Sequence, residues 1–408
     1  MSIGTGAPSL QALAAGARSA GKLALDTEFM GEGRYRTLLC LVQLAVPEAA
    51  GMAERIELID PLAEELDGAP LADLLADPAV QVVVHAGRQD VALMRRRFAT
   101  DVRNVFDTQV AAGFVGMGAQ CSYESLLTEL LGIRLSKSAS FTRWDARPLS
   151  REQLAYARED VVHLLELSSA LEQRLAALGR LDWAREECAA LERASDERDP
   201  DAIFSRLPRV RGLSASARPT ARELVRWREQ TAARQDRPAQ SVLSDSALIE
   251  IAKRKPSSKA ELEQIRGVQA GSLRRRASEL LEVVERGRRL PPEPVAEDPR
   301  RSTPAPEDAP LVALAEALVR ARAREAGLAY ELLAARADLQ AIVTARRARE
   351  GPAGDASDDA NRAGEADVRT LHGWRRELVG EELLELLDGD LSLSVLGREL
   401  QIIKRPPS

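Results

Sequence analysis

Strand-forming sequence is concentrated in the first quarter of this 408-residue chain, and this concentration limits its possible folds more than any other feature. Short runs that are apolar or alternate in polarity predict strands at 22–29, 37–46, 55–59 and 81–85, with a candidate fifth at 105–107. Helical patterns lie between and after them, at 71–75, 89–98, 123–131 and, as one long helix, 151–178. Three successive strands, followed by strands that alternate with helices, predict an α/β domain with a mixed sheet.

The rest of the chain differs in composition and supports a division into separate units. Eleven of the fourteen aromatic residues precede residue 206, and the pattern after Trp183 is helical throughout. Six prolines between residues 291 and 306 predict an extended linker, and a stretch rich in Gly, Ala and Asp at 351–364 predicts a mobile loop. We therefore expect domains at 1–205, 206–290 and 311–408, with the linker at 291–310.

Composition excludes several classes of protein. Three cysteines and three histidines, all widely spaced, argue against a disulfide scaffold, a structural zinc site and a histidine-rich metal site. No run approaches the roughly 18 apolar residues of a membrane span. The first 21 residues lack the basic start of a secretory signal and favour an amphipathic helix, so we expect a cytoplasmic protein.

Charge is distributed unevenly along the chain. The net charge is −6, but residues 206–290 contain 20 Lys and Arg against 10 Asp and Glu, so this segment carries +10 and the remainder −16. A basic segment on an acidic body is typical of a module that binds a polyanion. The alternative is that the arginines only reflect a GC-rich genome.

The sequence Asp26-Thr27-Glu28 is the strongest chemical signal in the first strand. Alternate residues of a strand share a face, so Asp26 and Glu28 project together while Thr27 faces the other way. Two neighbouring carboxylates repel each other unless a cation or a proton intervenes. A solvated strand end is the alternative interpretation.

Two further motifs supply carboxylates from other elements. Asp90 follows the apolar strand at 81–85 and lies in the first turn of a predicted helix, where side chains reach the end of the sheet. Tyr156 and Asp160 are four residues apart in the helix that a Ser150 capping box begins, so they share a face. Hard cations such as Mg²⁺ prefer carboxylate oxygens, and a pair of them can act on a phosphodiester. Asp26, Glu28, Asp90 and Asp160 are therefore candidate ligands, with Tyr156 a candidate water-positioning hydroxyl.

The order DTEF, HAGRQD, YAREDV resembles the three exonuclease motifs of the tyrosine-bearing (DEDDy) branch of the DEDD superfamily, and residues 140–161 resemble the third-motif region of ribonuclease D. The resemblance covers about residues 22–180. It implies a ribonuclease H-like mixed sheet and stepwise 3′→5′ hydrolysis that releases nucleoside 5′-monophosphates.

The same resemblance implies roles for individual residues. Two divalent ions, Mg²⁺ or Mn²⁺, would be held by Asp26, Glu28, Asp90 and Asp160, and Tyr156 would orient the attacking water. The expected substrate contacts are Thr27, Phe29, His85, Gln89, Lys137, Arg143 and Trp144. Of these, Thr27 would act through its backbone and Phe29 by stacking, and Trp144 is equally interpretable as a core residue.

A second assignment of the motifs is possible. His85 and Asp90 match the H-x₄-D spacing of the histidine-bearing (DEDDh) branch, in which a histidine is the general base. That assignment requires a middle aspartate between residues 28 and 85, such as Asp60, and leaves Tyr156 and Asp160 without a role. We favour the tyrosine branch.

The basic segment resembles an HRDC domain, a helical nucleic-acid-binding module, in sequences such as RELVRWR and SVLSDSALIEIAKR. Its basic residues would bind the phosphate backbone without reading sequence. Residues 311–408 resemble a degenerate second HRDC-like domain, again all helical, with packing on the catalytic body as one expected role.

We therefore expect a 3′–5′ exoribonuclease, monomeric, that trims structured RNA 3′ ends, tRNA precursors above all. The alternatives are a 3′–5′ exodeoxyribonuclease, since the same metal chemistry cuts DNA, and a non-catalytic RNA-binding scaffold.

Overall fold

A five-stranded mixed sheet organises the first part of the chain in the computed structural model, which describes residues 7–47, 55–118, 120–135, 143–268, 270–294, 306–349 and 366–405. The strands are β1 (Lys22–Met30), β2 (Leu38–Val46), β3 (Arg55–Ile59), β4 (Gln81–Val84) and β5 (Val105–Asp107). Their spatial order is β3-β2-β1-β4-β5. The first three pair antiparallel, while β4 and β5 add in parallel, so the predicted mixed sheet is confirmed.

Helices cover both faces of this sheet. Those of the first part are α1 (Ala7–Ala20), α2 (Ala69–Leu75), α3 (Arg88–Phe98), α4 (Thr108–Phe114), α5 (Tyr123–Leu126, continued by a π-helical turn Leu127–Leu131), α6 (Arg151–Val162), α7 (Leu164–Ala177) and α8 (Leu181–Ala189). Leucines and alanines of α1, α2 and α3 pack on one face, and those of α6 and α7 on the other. Because β1 and β2 lie between these layers, residues 23–25 and 39–46 are buried, whereas Phe29 at the end of β1 is exposed.

The prediction of one helix from 151 to 178 is wrong in one respect, because the chain breaks at His163. The capping box at Ser150 is present, but the helix ends at Val162, and His163 leaves helical geometry with φ −115° and ψ 6°. A new helix starts at Leu164. Each segment can therefore pack on its own part of the sheet.

A second core belongs to the basic helical segment. Its helices are α9 (Pro200–Arg206), α10 (Arg218–Gln235), α11 (Ala239–Val242), α12 (Asp245–Arg254), α13 (Lys259–Glu263) and α14 (Ala270–Arg289). The buried cluster begins with Phe204, just before the expected boundary at 206, and extends to Val284. Beyond it, Arg222 holds Glu293, so the first residues of the expected linker lie against this unit. Most of that linker, and the 351–364 segment, lie outside the described residues.

The C-terminal part is not all helical, which corrects the prediction. Helices α15 (Ala309–Ala326), α16 (Tyr330–Leu333) and α17 (Arg336–Arg349) and the consecutive segments Gly373–Arg375, Arg376–Gly380 (π-helical) and Glu381–Asp388 precede a hairpin of β6 (Leu391–Leu396) and β7 (Glu399–Lys404). Alternation of Leu391, Leu393 and Val395 and the Gly397 turn are the strand signals in this sequence.

This C-terminal part shares one continuous hydrophobic core with the domain that contains the five-stranded sheet. The Trp374 ring stacks on Trp183 with centroids 5.3 Å apart and meets the edge of Phe114 at 5.0 Å. Arg375, which is buried, forms an ion pair with Glu187 at 2.6 Å. The expected packing on the catalytic body is therefore present. Among the described residues, no helix is long and apolar enough to cross a membrane.

Candidate active site

Three carboxylates from two elements meet above the sheet. Asp26 and Glu28 project from β1 toward α6, as strand alternation predicts, and Asp160 projects from α6. One oxygen from each of the three lies within 4.8 Å of the others. This spacing lets the three share one cation.

Asp90 reaches the same cluster from the other side of the strand. It lies in the first turn of α3, is 7% exposed, and accepts a short hydrogen bond from the Thr27 hydroxyl. Its charge raises the pKa values of both Asp26 and Glu28, so it is close to them. The Thr27 side chain therefore positions a carboxylate, a role beyond the backbone contact expected from the sequence.

Asp107, a residue that the sequence reasoning missed, fixes the turn from which Asp90 projects. Its carboxylate accepts the backbone N–H groups of Ala86 and Gly87 at 3.0 and 2.9 Å. It also caps α4 through the N–H groups of Gln109 and Val110. Gly87 is required because a Cβ there would lie 2.4 Å from Cβ of Val84. Its position could have been predicted from the sequence, because an aspartate between a strand and a helix is typical of a helix N-cap.

Tyr156 completes the group from α6. It lies one turn before Asp160, and burial, followed by the charges of Asp160, Glu28 and Asp26, raises the pKa of its phenol. The ring of Trp144 supports it, with centroids 6.1 Å apart. A phenol that stays protonated can donate and accept hydrogen bonds, which suits it to orient a water molecule.

Burial raises the pKa values of all four carboxyl groups, and the charges of neighbouring members of the cluster raise those of Asp26 and Glu28 further. Desolvation is the largest cause in each case. The pKa is raised to about 8 for Glu28, to about 7 for Asp160 and to about 6 for Asp90. For Asp26, the charges of Asp90, Asp160 and Glu28 add to a large upward shift. Carboxylate oxygens are the ligands that hard divalent cations such as Mg²⁺ or Mn²⁺ prefer, so one buried and three half-buried carboxyl groups at this site fit such ions, whose charge would offset the repulsion.

The residues expected to contact RNA differ in their exposure. Phe29 is 39% exposed at the end of β1, and Gln89 is partly exposed beside Asp90. Arg143 is exposed and paired with Asp145 at 3.0 Å. Trp144 is only 3% exposed, which corrects its assignment as a base contact and favours a core role behind Tyr156. Lys137 lies outside the described residues.

His85 and Asp60, required by the histidine-branch assignment, point to other partners. Thr108 donates its hydroxyl hydrogen to the Val84 carbonyl, so the His85 Nδ1–H donates to Thr108 Oγ1 at 3.0 Å. Burial lowers the pKa of His85. The Asp60 oxygens lie 2.5 and 2.7 Å from Arg147. This geometry is against the histidine branch, because the carboxylate cluster includes Asp160 and not Asp60.

Comparisons with known proteins agree with this geometry. A family model described as 3′–5′ exonuclease matches residues 5–176, and a model of the HRDC domain matches residues 219–284. Ribonuclease D of Granulibacter bethesdensis is 37% identical over 382 residues, which cover 93% of this chain and 90% of that protein. Ribonuclease D of Gluconacetobacter diazotrophicus is 37% identical over 95% of this chain and 92% of that protein.

A solved structure extends the similarity to the whole architecture. The crystal structure of Escherichia coli RNase D, described as an exoribonuclease involved in structured RNA processing, superposes with a TM-score of 0.79 at 27% identity. The superposition covers 95% of this chain and 99% of that chain.

Proposed function

This chain belongs to the ribonuclease D family of 3′–5′ exoribonucleases, and from that premise we propose that it trims the 3′ ends of structured RNAs, tRNA precursors above all, one nucleotide at a time. The observation that carries the proposal is the meeting of Asp26, Glu28 and Asp160 within 4.8 Å, with Asp90 and Tyr156 beside them. We further propose that the protein acts as a cytoplasmic monomer.

Asp26, Glu28, Asp90 and Asp160 would hold two divalent ions. Bound ions of this kind acidify water and stabilise the attacking and leaving oxygens of a phosphodiester. The four side chains come from β1, α3 and α6, all anchored in the core, so their positions are fixed before substrate binds.

Tyr156 would orient the attacking water through its hydroxyl. Because its pKa is raised, the phenol keeps its proton at neutral pH and accepts or donates hydrogen bonds without acting as a base. The Trp144 ring restricts its motion. This supports a positioning role for Tyr156 in the tyrosine-branch mechanism.

The terminal nucleotide would lie over the exposed ring of Phe29, next to the carboxylates. An aromatic face stacks on any base, so this contact holds the 3′ end without reading its identity. Gln89 and His85 are proposed to line the adjacent groove, and Arg143 to meet phosphate once released from Asp145.

The helical module offers a basic groove for the rest of the RNA. Two adjoining cavities of about 500 and 630 Å³ are lined by Arg237 and Arg276, with Arg234 in the second. Gly33, in the loop after β1, borders the first cavity, and Arg34 of the same loop pairs with Asp236 at 2.8 Å. RNA bound in this groove would therefore lie close to the strand that carries Asp26 and Glu28.

A time course on an unprocessed tRNA tests the proposal, with Asp26→Ala as the inactive control. We expect an Mg²⁺-dependent ladder that shortens by one nucleotide and releases 5′-monophosphates. Long internal fragments would contradict exonucleolysis, and no cleavage would favour the non-catalytic scaffold. Parallel digestion of a single-stranded RNA and the same sequence in DNA distinguishes the exodeoxyribonuclease alternative.

A further inference from the structure

Gln43 is a fully buried amide in the otherwise apolar middle of β2. Its side chain is 0% exposed, and neither Oε1 nor Nε2 has a hydrogen-bond partner among the described residues. Buried amides are nearly always paired, because an unpaired one loses its hydrogen bonds to water without replacement. An orphaned amide at this position therefore needs an explanation.

The sheet register places Gln43 directly opposite Asp26. The two are cross-strand partners in the antiparallel β1–β2 pair, so both side chains project on the same face. Directly opposite residues have Cβ atoms about 4.5–5.5 Å apart, which is within reach of a glutamine side chain. Its partner on the other side, in β3, is Leu58, which offers no polar side-chain atom. Asp26 is thus the polar side chain directly opposite this amide, and Glu28 is its diagonal neighbour on the same face.

The Asp26 carboxylate has few donors of its own. The one hydrogen bond that lowers its pKa comes from the backbone of Thr27. A carboxylate that ligates a cation through one oxygen can rotate unless a donor holds the other oxygen, which is why such ligands are usually hydrogen-bonded in turn.

We propose that Gln43 is a positioning residue whose Nε2–H group holds the Asp26 carboxylate in the orientation that binds the cation. This inference rests on the proposed function of Asp26 as a metal ligand. Gln43 touches neither the RNA nor the reacting atoms. Its amide is kept unpaired in the fold because its partner is the ionised, cation-loaded form of Asp26.

A purely structural role for Gln43 predicts different effects of its replacement on stability and on cation binding. If the amide served only the packing of β2, replacing it would change the stability of the fold and leave cation binding as it was. If it serves Asp26, removing an orphaned amide should not harm the metal-free fold, but it should weaken the cation site.

The test compares Gln43→Met with Gln81→Met in the full-length protein. Methionine keeps the length of the side chain and removes both polar atoms. Gln81 is a matched control because it is buried in β4, pairs with β1 at Lys22, and donates to Glu172 at 2.9 Å, far from the carboxylates. Thermal unfolding in EDTA, Mn²⁺ binding by calorimetry and cleavage of a short RNA are measured for each.

For Gln43→Met we expect an unchanged or higher unfolding midpoint in EDTA, about tenfold weaker Mn²⁺ binding, and a lower kcat with an unchanged KM for RNA. Gln81→Met should lower the midpoint and leave Mn²⁺ binding unchanged. Wild-type Mn²⁺ affinity in Gln43→Met overturns the proposal, whatever happens to its stability. If that variant does not fold, Gln43→Asn, whose amide is one methylene further from Asp26, carries the same test. Failure of wild type to bind Mn²⁺ would instead refute the proposed function itself.

Discussion

The catalytic domain and the helical module both bury charged side chains, but they balance them in opposite ways. In the module, Glu229 is 3% exposed and lies 2.7 Å from Nε of Arg198 and 3.4 Å from Nε of Arg228. Arg228 also contacts Asp245 at 2.6 Å. Each charge in this cluster has an opposite charge from the chain itself.

At the end of β1, the buried Asp90 lies beside the half-buried Asp26, Glu28 and Asp160, and none of the four forms an ion pair with a Lys or Arg in the described part of the chain. Desolvation raises the pKa values of these four carboxyl groups, whereas in the module the buried carboxylate of Glu229 pairs with two arginines. The contrast shows how clustered charge can be interpreted. In the module the chain itself supplies the opposite charges, whereas the cluster on β1 needs protons or a cation to relieve its repulsion.

Asp26→Asn should give the largest effect, because it removes a proposed cation ligand and one of the repelling charges together. We expect a loss of about 10³-fold in kcat/KM, since metal stabilisation of the transition state amounts to several kcal/mol. The unfolding midpoint in EDTA should rise. Nucleotide release and thermal unfolding measure the two effects, and a less stable variant in EDTA would show that the charges are not in conflict.

Glu229→Ala should have the opposite effect: it should lower the stability of the fold and leave RNA cleavage unchanged. It removes the carboxylate that pairs with Arg198 and leaves the buried Arg228 with Asp245 alone, so we expect a loss of about 3 kcal/mol in the free energy of unfolding. Denaturant unfolding measures this loss, and short-RNA cleavage by the folded fraction should be unchanged. Glu250→Ala is the control, because its partly exposed pairs with Lys253 and Arg254 at 3.6 Å contribute about 0–1 kcal/mol.

Tyr156→Phe should lower kcat about 10²-fold and leave folding nearly intact, since it removes only the hydroxyl that we propose orients the attacking water. His85→Ala should be milder, at roughly tenfold or less, because the His85 ring contacts Thr108 and not the carboxylates. Single-turnover rates on one RNA give the ranking. The reverse order would favour the histidine branch.

The unbalanced cluster also predicts a pH dependence. Folding raises the pKa of Glu28 to about 8 and that of Asp160 to about 7, so the folded state binds more protons than the unfolded state between about pH 4 and 8. Stability without metal must therefore fall as pH rises through this window, while Mn²⁺ affinity must increase as the ligands ionise. Melting in EDTA and calorimetry at pH 6 and 8 measure both trends; Glu28→Gln should flatten them.

The smallest effect is expected in the basic groove. Arg237→Ala should weaken binding of a catalytically inactive Asp26→Ala protein to tRNA and lower the salt slope by about 1, the value for one phosphate contact. Arg289→Ala is the control, because Arg289 is paired with Glu285 at 3.1 Å. An unchanged slope in Arg237→Ala would remove this groove from the RNA path.

Much of the candidate site could be predicted because its signals are local. Strand alternation places Asp26 and Glu28 on one face, and the Ser150 capping box sets the start of the helix that carries Tyr156 and Asp160. These features depend only on residues close together in the sequence, within two turns of a helix or two repeats of a strand. The placement of Trp144 in the core depends on distant elements, so its exposure could not be assigned from its neighbours.

The sequence by itself determined the five strands of the first sheet, the strand face that carries the carboxylates and the three motifs, because backbone geometry repeats every two or 3.6 residues. It did not reveal the helix break at His163 or the β6–β7 hairpin. Only the tertiary structure decided that Thr27 holds Asp90, that Asp107 fixes the turn before α3 and that Trp374 joins the C-terminal part to the catalytic core. Each of these contacts joins residues that are distant in the chain. Such contacts depend on which surfaces pack together in the fold, and the local repeat of a helix or strand does not contain that information.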